Sequence, residues 1–456
     1  MELTLKEILK ATNGKLVCGD INTKINSVST SSCEIGINSL FVPIKGEKVD
    51  AHDFIDDAFI NGAVATLTSR ENCYSSDKSY ILVDDTKKAL QHLASYYREK
   101  FSIPIIGITG SVGKTTTKEM VSSALSAGGK VMKTIGNQNS QIGVPLTMLR
   151  LDETDDFAVV ELGMSEFGEM QRISEVAKVS HAIITNIGIS HIENLHSQEN
   201  ILKEKLHIAD HFKENSIIYL NGDDELLAGL KNKTNFKIVF FGTKDFCDYR
   251  AENIKEKGNS TSFDLIYSQG KVNIQIPTIG FHNVLNALAS IAVCTNLGFS
   301  MAQIQKGLDT FKQPKMRQQI IDTGFITVID DSYNASPDSI KSGISVLKSI
   351  SNNQRTIAVL GDMLELGEYS FNAHFDLGKY LAENNIDIVI TVGKEAKAIA
   401  DGAKSKNSNI LAMSFENNQD VINYLRDLIK QNDKIIVKGS RGMHTDEIVS
   451  YLLEIK

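Results

Sequence analysis

Cysteine is scarce and scattered: five residues, Cys18, Cys33, Cys73, Cys247 and Cys294, with no C-x-x-C pair among them. An odd number at wide spacing argues against a disulfide framework or a zinc site and fits reduced thiols in a cytoplasm. No uncharged apolar run approaches the roughly 20 residues that a membrane-spanning helix needs. The opening M-E-L-T-L-K-E-I-L-K mixes acids with lysines and has no long apolar core, so a signal peptide is not expected. There is no basic excess either. A net charge of −8 speaks against a protein that coats nucleic acid, so an anionic ligand needs local basic or amide-rich pockets. Internal repeats and low-complexity tracts are also missing. What is present is a soluble globular composition, 42% apolar and 23% charged, over 456 residues. That length predicts roughly two to four domains.

The richest stretch is Ile105–Met120, I-I-G-I-T-G-S-V-G-K-T-T-T-K-E-M. An apolar run leads into a glycine-rich turn and then a helix-forming segment, so the order reads strand, loop, helix. Gly110, Ser111, Val112 and Gly113 form a turn whose backbone N–H groups can curl around phosphate oxygens. The helix start adds a partial positive charge at the same spot. Lys114 can reach the β- and γ-phosphates, and Thr115 or Thr116 can offer a hydroxyl to Mg²⁺. The strict phosphate-loop spacing wants glycine where Ile108 stands, but T-G-x-x-G-K-T is intact. The pattern predicts a nucleoside triphosphate site.

Before this loop, Ser29, Thr30 and Ser31 form one hydroxyl cluster, and Lys45, Gly46, Asp50 and His52 a second polar stretch. Each fits either a phosphate-binding wall or a plain turn. After it, G-N-Q-N-S-Q-I-G-V-P (136–145) reads as a loop offering the amides of Asn137 and Asn139. Glu161 ends an apolar run, a position suited to a Mg²⁺ ligand or to a strand-end cap. His191 follows another strand, Ala182–Ile187, and falls on the same sheet edge if the strands are parallel. In the helix Glu199–Asp210 the residues alone do not choose between Lys203 and Lys205. Asp264–Ile276 reads as a β-meander, and His282 and Asn283 stand in the first turn of a helix. From Gln313-Pro314 onward, four apolar strands each run into a Gly-, Asp- or Ser-bearing turn and a helix. That is the signature of a second parallel sheet, and without G-x-G-x-x-G it indicates no dinucleotide site.

Together, T-G-S-V-G-K-T-T (109–116), V-V-E-L-G (159–163), T-N-I-G-I-S-H (185–191), G-F-H-N-V-L-N-A (280–287) and D-D-S-Y-N-A-S-P (330–337) resemble the Mur ligases. These are ATP-dependent amino-acid and peptide ligases of bacterial cell-wall precursor synthesis. Within the family, G-N-Q-N-S-Q-I-G-V-P, the Tyr-Asn pair and L-G-D-M-L-E-L-G-E look like the member that adds D-alanyl-D-alanine. The resemblance implies an α/β protein of three domains: an N-terminal UDP-binding domain (1–102), a central P-loop ATPase domain (103–313) and a C-terminal Rossmann-like domain (314–456). It implies a cytoplasmic and monomeric enzyme acting on UDP-N-acetylmuramoyl-tripeptide and D-alanyl-D-alanine, with ATP and two Mg²⁺ ions.

The same resemblance assigns roles. The UDP-sugar peptide is expected near Ser29–Ser31 and Lys45–His52, with Asn137 and Asn139 also facing substrate. Lys114 and Thr115 are expected at phosphate and Mg²⁺, with Glu161 and His191 around the metal. Arg317 is expected to reach the ATP phosphates, Asp331 the ribose, and Asn283 the adenine side, with Asn334 among the catalytic residues. Lys205, rather than Lys203, is expected to be carbamylated. An ammonium repels Mg²⁺, whereas a carbamate is an anionic oxygen ligand. Three rivals remain: the ligase that adds the third peptide residue, a folylpolyglutamate-type synthase, and a P-loop switch. The N-terminal hundred residues argue against the second, and the switch needs no second anion pocket.

Overall fold

The computed structural model describes residues 1–71 and 78–455; Cys73 lies outside the described residues. The chain builds three α/β units, each around its own sheet. In the first, Ser27–Ser29, Ser39–Phe41, Ala63–Thr68 and Ser79–Leu82 are parallel, and Lys15–Cys18 closes one edge antiparallel. The opening helix Leu5–Thr12 is fixed by a capping box between Thr4 and Glu7, a device worth about 1 kcal/mol. The apolar run from Tyr80 to Thr86 predicts one strand, but the strand ends at Leu82. Asp85 accepts the Lys88 N–H and starts the helix Thr86–Arg98 instead.

Among the described residues the central sheet has nine strands, and Ile105–Thr109 lies inside it, between His181–Ile184 and Phe157–Glu161. All three are parallel and buried, so their sequences run apolar without alternation. After Ile105–Thr109 the chain fills one side with Val131–Lys133 and Phe157–Glu161, then crosses to the other with His181–Ile184. Strand order reverses there, and a crevice opens at the carboxyl ends of these strands. The far edge is an antiparallel meander, Tyr249–Lys257, Ser260–Tyr267 and Gly270–Ile276, one strand longer than the sequence reading.

Among the described residues the third sheet has five parallel strands, in the order Thr327–Asp330, Lys434–Lys438, Thr356–Gly361, Ile388–Val392 and Leu411–Phe415, plus antiparallel Gln319–Asp322. Leu411–Phe415 is the strand beyond the four expected. It lies at the edge, with Leu411 and Met413 exposed. Here too the order switches beside Lys434–Lys438, aiming the turns after Asp330, Gly361 and Lys438 at the central crevice. Among the described residues no helix is long and apolar enough to cross a membrane.

Candidate functional site

The phosphate loop is held by the next strand rather than by itself. Asn186 accepts the Ser111 N–H through its carbonyl at 3.1 Å and the Val112 N–H through its side chain at 2.9 Å. Thr185 donates its hydroxyl to the Val112 carbonyl at 2.5 Å, and Ser111 Oγ accepts the Gly188 N–H at 2.9 Å. Gly110 (φ +145°) and Gly113 (φ +89°) stand where other residues are strained, and a side chain at Gly110 would collide with Thr185. Since Ser111 and Val112 spend their N–H groups on Asn186, the donors left for a phosphate are those of the helix start at Lys114, which lack intrahelical acceptors. The Lys114 ammonium rests on the Gly110 carbonyl at 2.7 Å. Burial holds it below the ordinary lysine range, and Arg317 pushes the same way while Glu161 opposes.

Glu161 is buried at the tip of its strand, and both its oxygens are engaged. Thr115 Oγ1 donates to Oε2 at 3.0 Å and Asn139 Nδ2 to Oε1 at 2.8 Å. The Arg317 guanidinium comes from the third unit, lies 3.9 Å over the Tyr333 ring and reaches Thr115 Oγ1 at 3.5 Å. From the same unit Glu365 pairs with His191, Oε2 to Nδ1, at 2.5 Å. That contact holds the Glu365 carboxyl below its usual range. These groups, with Asn334 and the turns 364–366 and 440–442, line one cleft of about 440 Å³.

Lys205 is almost wholly buried, whereas Lys203 is exposed. Among the described residues the Lys205 side chain has no hydrogen bond or ion pair. Burial drives it well below the usual amine range, and the charge of Lys114 adds to that while Glu204 opposes. The sequence pattern alone left these two lysines equivalent; burial separates them.

Other expected residues lie elsewhere. Asp331 is buried outside the cleft lining, 2.7 Å from the buried Lys438 ammonium, and accepts the Gln318 N–H at 3.2 Å. Burial raises Asp331 and lowers Lys438, each against the attraction of the other. Asn283 is also buried, donating to the Ile279 carbonyl at 2.7 Å and accepting from Asn286 at 3.2 Å. Asn286 in turn accepts the Thr117 hydroxyl at 3.0 Å, so Asn283 braces the P-loop helix from behind. Thr116 is buried within that helix.

In the first unit, Ser29 Oγ donates to the carbonyls of Ser31 and Glu34, both at 2.9 Å, closing a turn on itself. His52 donates from Nδ1 to Asp50 at 2.6 Å, and its Nε2 accepts the Ser69 N–H at 3.2 Å. Asp50 also pairs with Arg70 at 2.8 Å. His52 and Asp50 therefore hold a turn together, while Lys45, Gly46 and Asn137 are exposed. A second hollow of about 420 Å³ lies beside Ser31, lined by Ser32, Cys33, Phe54, Asp57, Ile60 and Asn61. Sequence reasoning missed Asn186, Lys438 and Glu365. Each had a signal: a polar residue directly after a buried strand (T-N-I-G), a lysine ending one (K-I-I-V-K), and an acid in a turn bounded by glycines.

Three family models match the chain: "Mur ligase family, catalytic domain" over residues 24–98, "Mur ligase middle domain" over 108–294, and "Mur ligase, glutamate ligase domain" over 316–441. The chain is 37% identical to the UDP-N-acetylmuramoyl-tripeptide–D-alanyl-D-alanine ligase of Bacillus subtilis (strain 168), across 99% of this chain and 98% of that one. A crystal structure of MurF from Acinetobacter baumannii superposes with a TM-score of 0.92 at 32% identity, covering 100% of this chain and 99% of that one. MurF ligase from Thermotoga maritima in complex with ADP superposes with a TM-score of 0.83 at 28% identity, covering 94% and 97%.

Proposed function

The chain belongs to the Mur ligase family, and we propose from that premise how its cleft performs the reaction. The enzyme binds ATP and uses it to ligate D-alanyl-D-alanine to UDP-N-acetylmuramoyl-tripeptide in peptidoglycan synthesis. We assign the domains as residues 1–102, 103–313 and 314–456, the second break falling between the helix Met301–Leu308 and the first strand of the third sheet at Gln319. The observation that carries the mechanistic reading is convergence. Lys114, Thr115, Glu161 and His191 of the central unit and Arg317, Tyr333 and Asn334 of the third line the same cleft.

A carboxylate is a poor acylating agent because its leaving group would be an oxide. Phosphorylating the tripeptide carboxylate with the ATP γ-phosphoryl releases ADP and gives an acyl phosphate, whose leaving group is phosphate. The dipeptide amine then attacks the acyl carbon, a tetrahedral oxyanion forms and collapses, phosphate departs, and the amine loses a proton. Lys114, the helix-start amides and Arg317 hold and neutralise the phosphates, which otherwise repel the incoming carboxylate. Asn334, exposed at the mouth of the cleft, is suited to orienting substrate. The third domain, closing on the central one, excludes water, the competing nucleophile.

The Thr115 hydroxyl beside the Glu161 carboxylate is a donor set that fits Mg²⁺, which takes one or two protein oxygens and completes its shell with phosphates and water. Consistently, among the described residues no cluster of three His, Cys, Asp or Glu forms an all-protein cage. Thr115, Glu161 and His191, with Lys205 once carbamylated, would hold it; bound there, it supplies positive charge between phosphate and carboxylate. Lys205 suits carbamylation because burial favours its neutral amine over the ammonium, and a neutral amine adds to carbon dioxide with loss of a proton. The nearby Lys114 charge then favours the anion.

The hollow beside Ser31 is where we seat the UDP end of the substrate. These substrates belong to the cytoplasm, and we read the enzyme as a monomer there. The test is phosphate release with each substrate omitted in turn. Release is expected only with both present, with a product heavier by the dipeptide less one water. Hydrolysis of ATP regardless of substrate would overturn the reading.

A further inference from the structure

His191 and Glu365 face each other across the cleft, and both hold left-handed backbone conformations, φ 63° and φ 62°. Their side chains meet at 2.5 Å although Glu365 is 53% exposed. Two further contacts close the same clasp. The Glu193 N–H donates to the Glu365 carbonyl at 3.4 Å, and the Cβ position at Gly367 (φ 50°) lies 3.1 Å from Glu193 Cγ. A carboxylate–imidazole contact with its acid half in solvent contributes little to stability. Left-handed backbone at both ends of one weak contact, neither end a glycine, points to a role at the site rather than in the fold.

The atoms indicate which role. A carboxylate beside Nδ1 keeps the proton on that nitrogen, leaving Nε2 as the lone pair available to a metal. His191 belongs to the central domain and Glu365 to the third. We infer that Glu365 is a positioning residue that presents His191 Nε2 to the metal, and does so only when the third domain is closed on the central one. Metal capture and domain closure are then one event. This rests on the reading of His191 as a metal ligand.

The test uses the full chain loaded with ADP and measures Mn²⁺ affinity from the electron paramagnetic resonance signal of free Mn²⁺. Small-angle scattering follows compaction, and melting temperature controls for folding. Glu365→Ala should weaken Mn²⁺ binding by about 10- to 100-fold, the range typical of lost carboxylate–histidine support. Glu365→Gln, whose amide oxygen can take the carboxylate's place beside Nδ1, should lose less. Melting should not change, and compaction on adding Mn²⁺ should be lost in Glu365→Ala. His191→Ala should match Glu365→Ala, and the double variant should be no weaker than His191→Ala alone. If His191→Ala binds Mn²⁺ normally, the ligand reading and this inference fall together. If only Glu365→Ala binds normally, or the two losses multiply, the inference fails and the ligand reading stands. Compaction of Glu365→Ala like that of the parent removes the coupling to closure.

Discussion

The helix Thr86–Arg98 joins the first unit to the central one by packing along the helices Gly143–Met148 and Glu169–Ala177. Its side chains end on main-chain carbonyls: Tyr97 on Leu151 at 2.9 Å, Arg98 on Ala177 at 3.1 Å, Gln91 on Gln141 at 3.1 Å. The third unit meets the central one differently, through Arg317 on Thr115 and Glu365 on His191. The first seam is anchored to backbone that no ligand displaces. The second carries side chains that we propose for the nucleotide and metal, beside one main-chain bond from the Glu193 N–H to the Glu365 carbonyl. On that proposal these side-chain contacts exchange when substrate enters, which makes one seam a fixed platform and the other a joint that opens and closes.

The sharpest way to break this contrast is to remove charge at the joint and ask whether the fold notices. Lys114→Ala should lower ligation by about 10³-fold, the scale of losing a group that stabilises charge in the transition state. Its melting curve should match the parent's. Near-normal turnover would refute the phosphate-loop assignment. Lys205→Ala should cost about 10²-fold, the upper range for lost metal support, and a small carboxylic acid should restore part of the rate by occupying the carbamate's place. Full activity without rescue would show that the buried amine is only structural.

How far the sequence led follows the same division. Local chemistry was legible: T-G-S-V-G-K-T-T gave strand, turn and helix, and Glu161 at a strand tip does meet Thr115. Burial was not, because it is a property of the assembled layers. The family resemblance implies nucleotide contacts for Asp331 and Asn283, but no sequence pattern shows that Lys438, more than a hundred residues on, pairs with the first and that Asn286 and Ile279 hold the second. The Glu365–His191 pair is illegible for the same reason: it joins residues from two sheets. Where the pattern was ambiguous, as between Lys203 and Lys205, only packing distinguishes them.

The smallest expected effect probes the platform. Tyr97 is buried, and burial lifts its phenol to about 12, so at neutral pH it is a pure O–H donor to the Leu151 carbonyl. Tyr97→Phe keeps the ring and its edge-on contact with Phe101 but leaves that carbonyl unpaired, at a cost of about 1–3 kcal/mol. The loss should appear as an earlier unfolding transition of the first and central units, with kcat and the KM values for all three substrates unchanged. Among the described residues Tyr97 is not one that lines the cleft, so a fixed platform transmits only stability. If Tyr97→Phe instead raises KM for the UDP-sugar peptide while melting stays put, this seam also moves during turnover. The difference between platform and joint would then be one of degree.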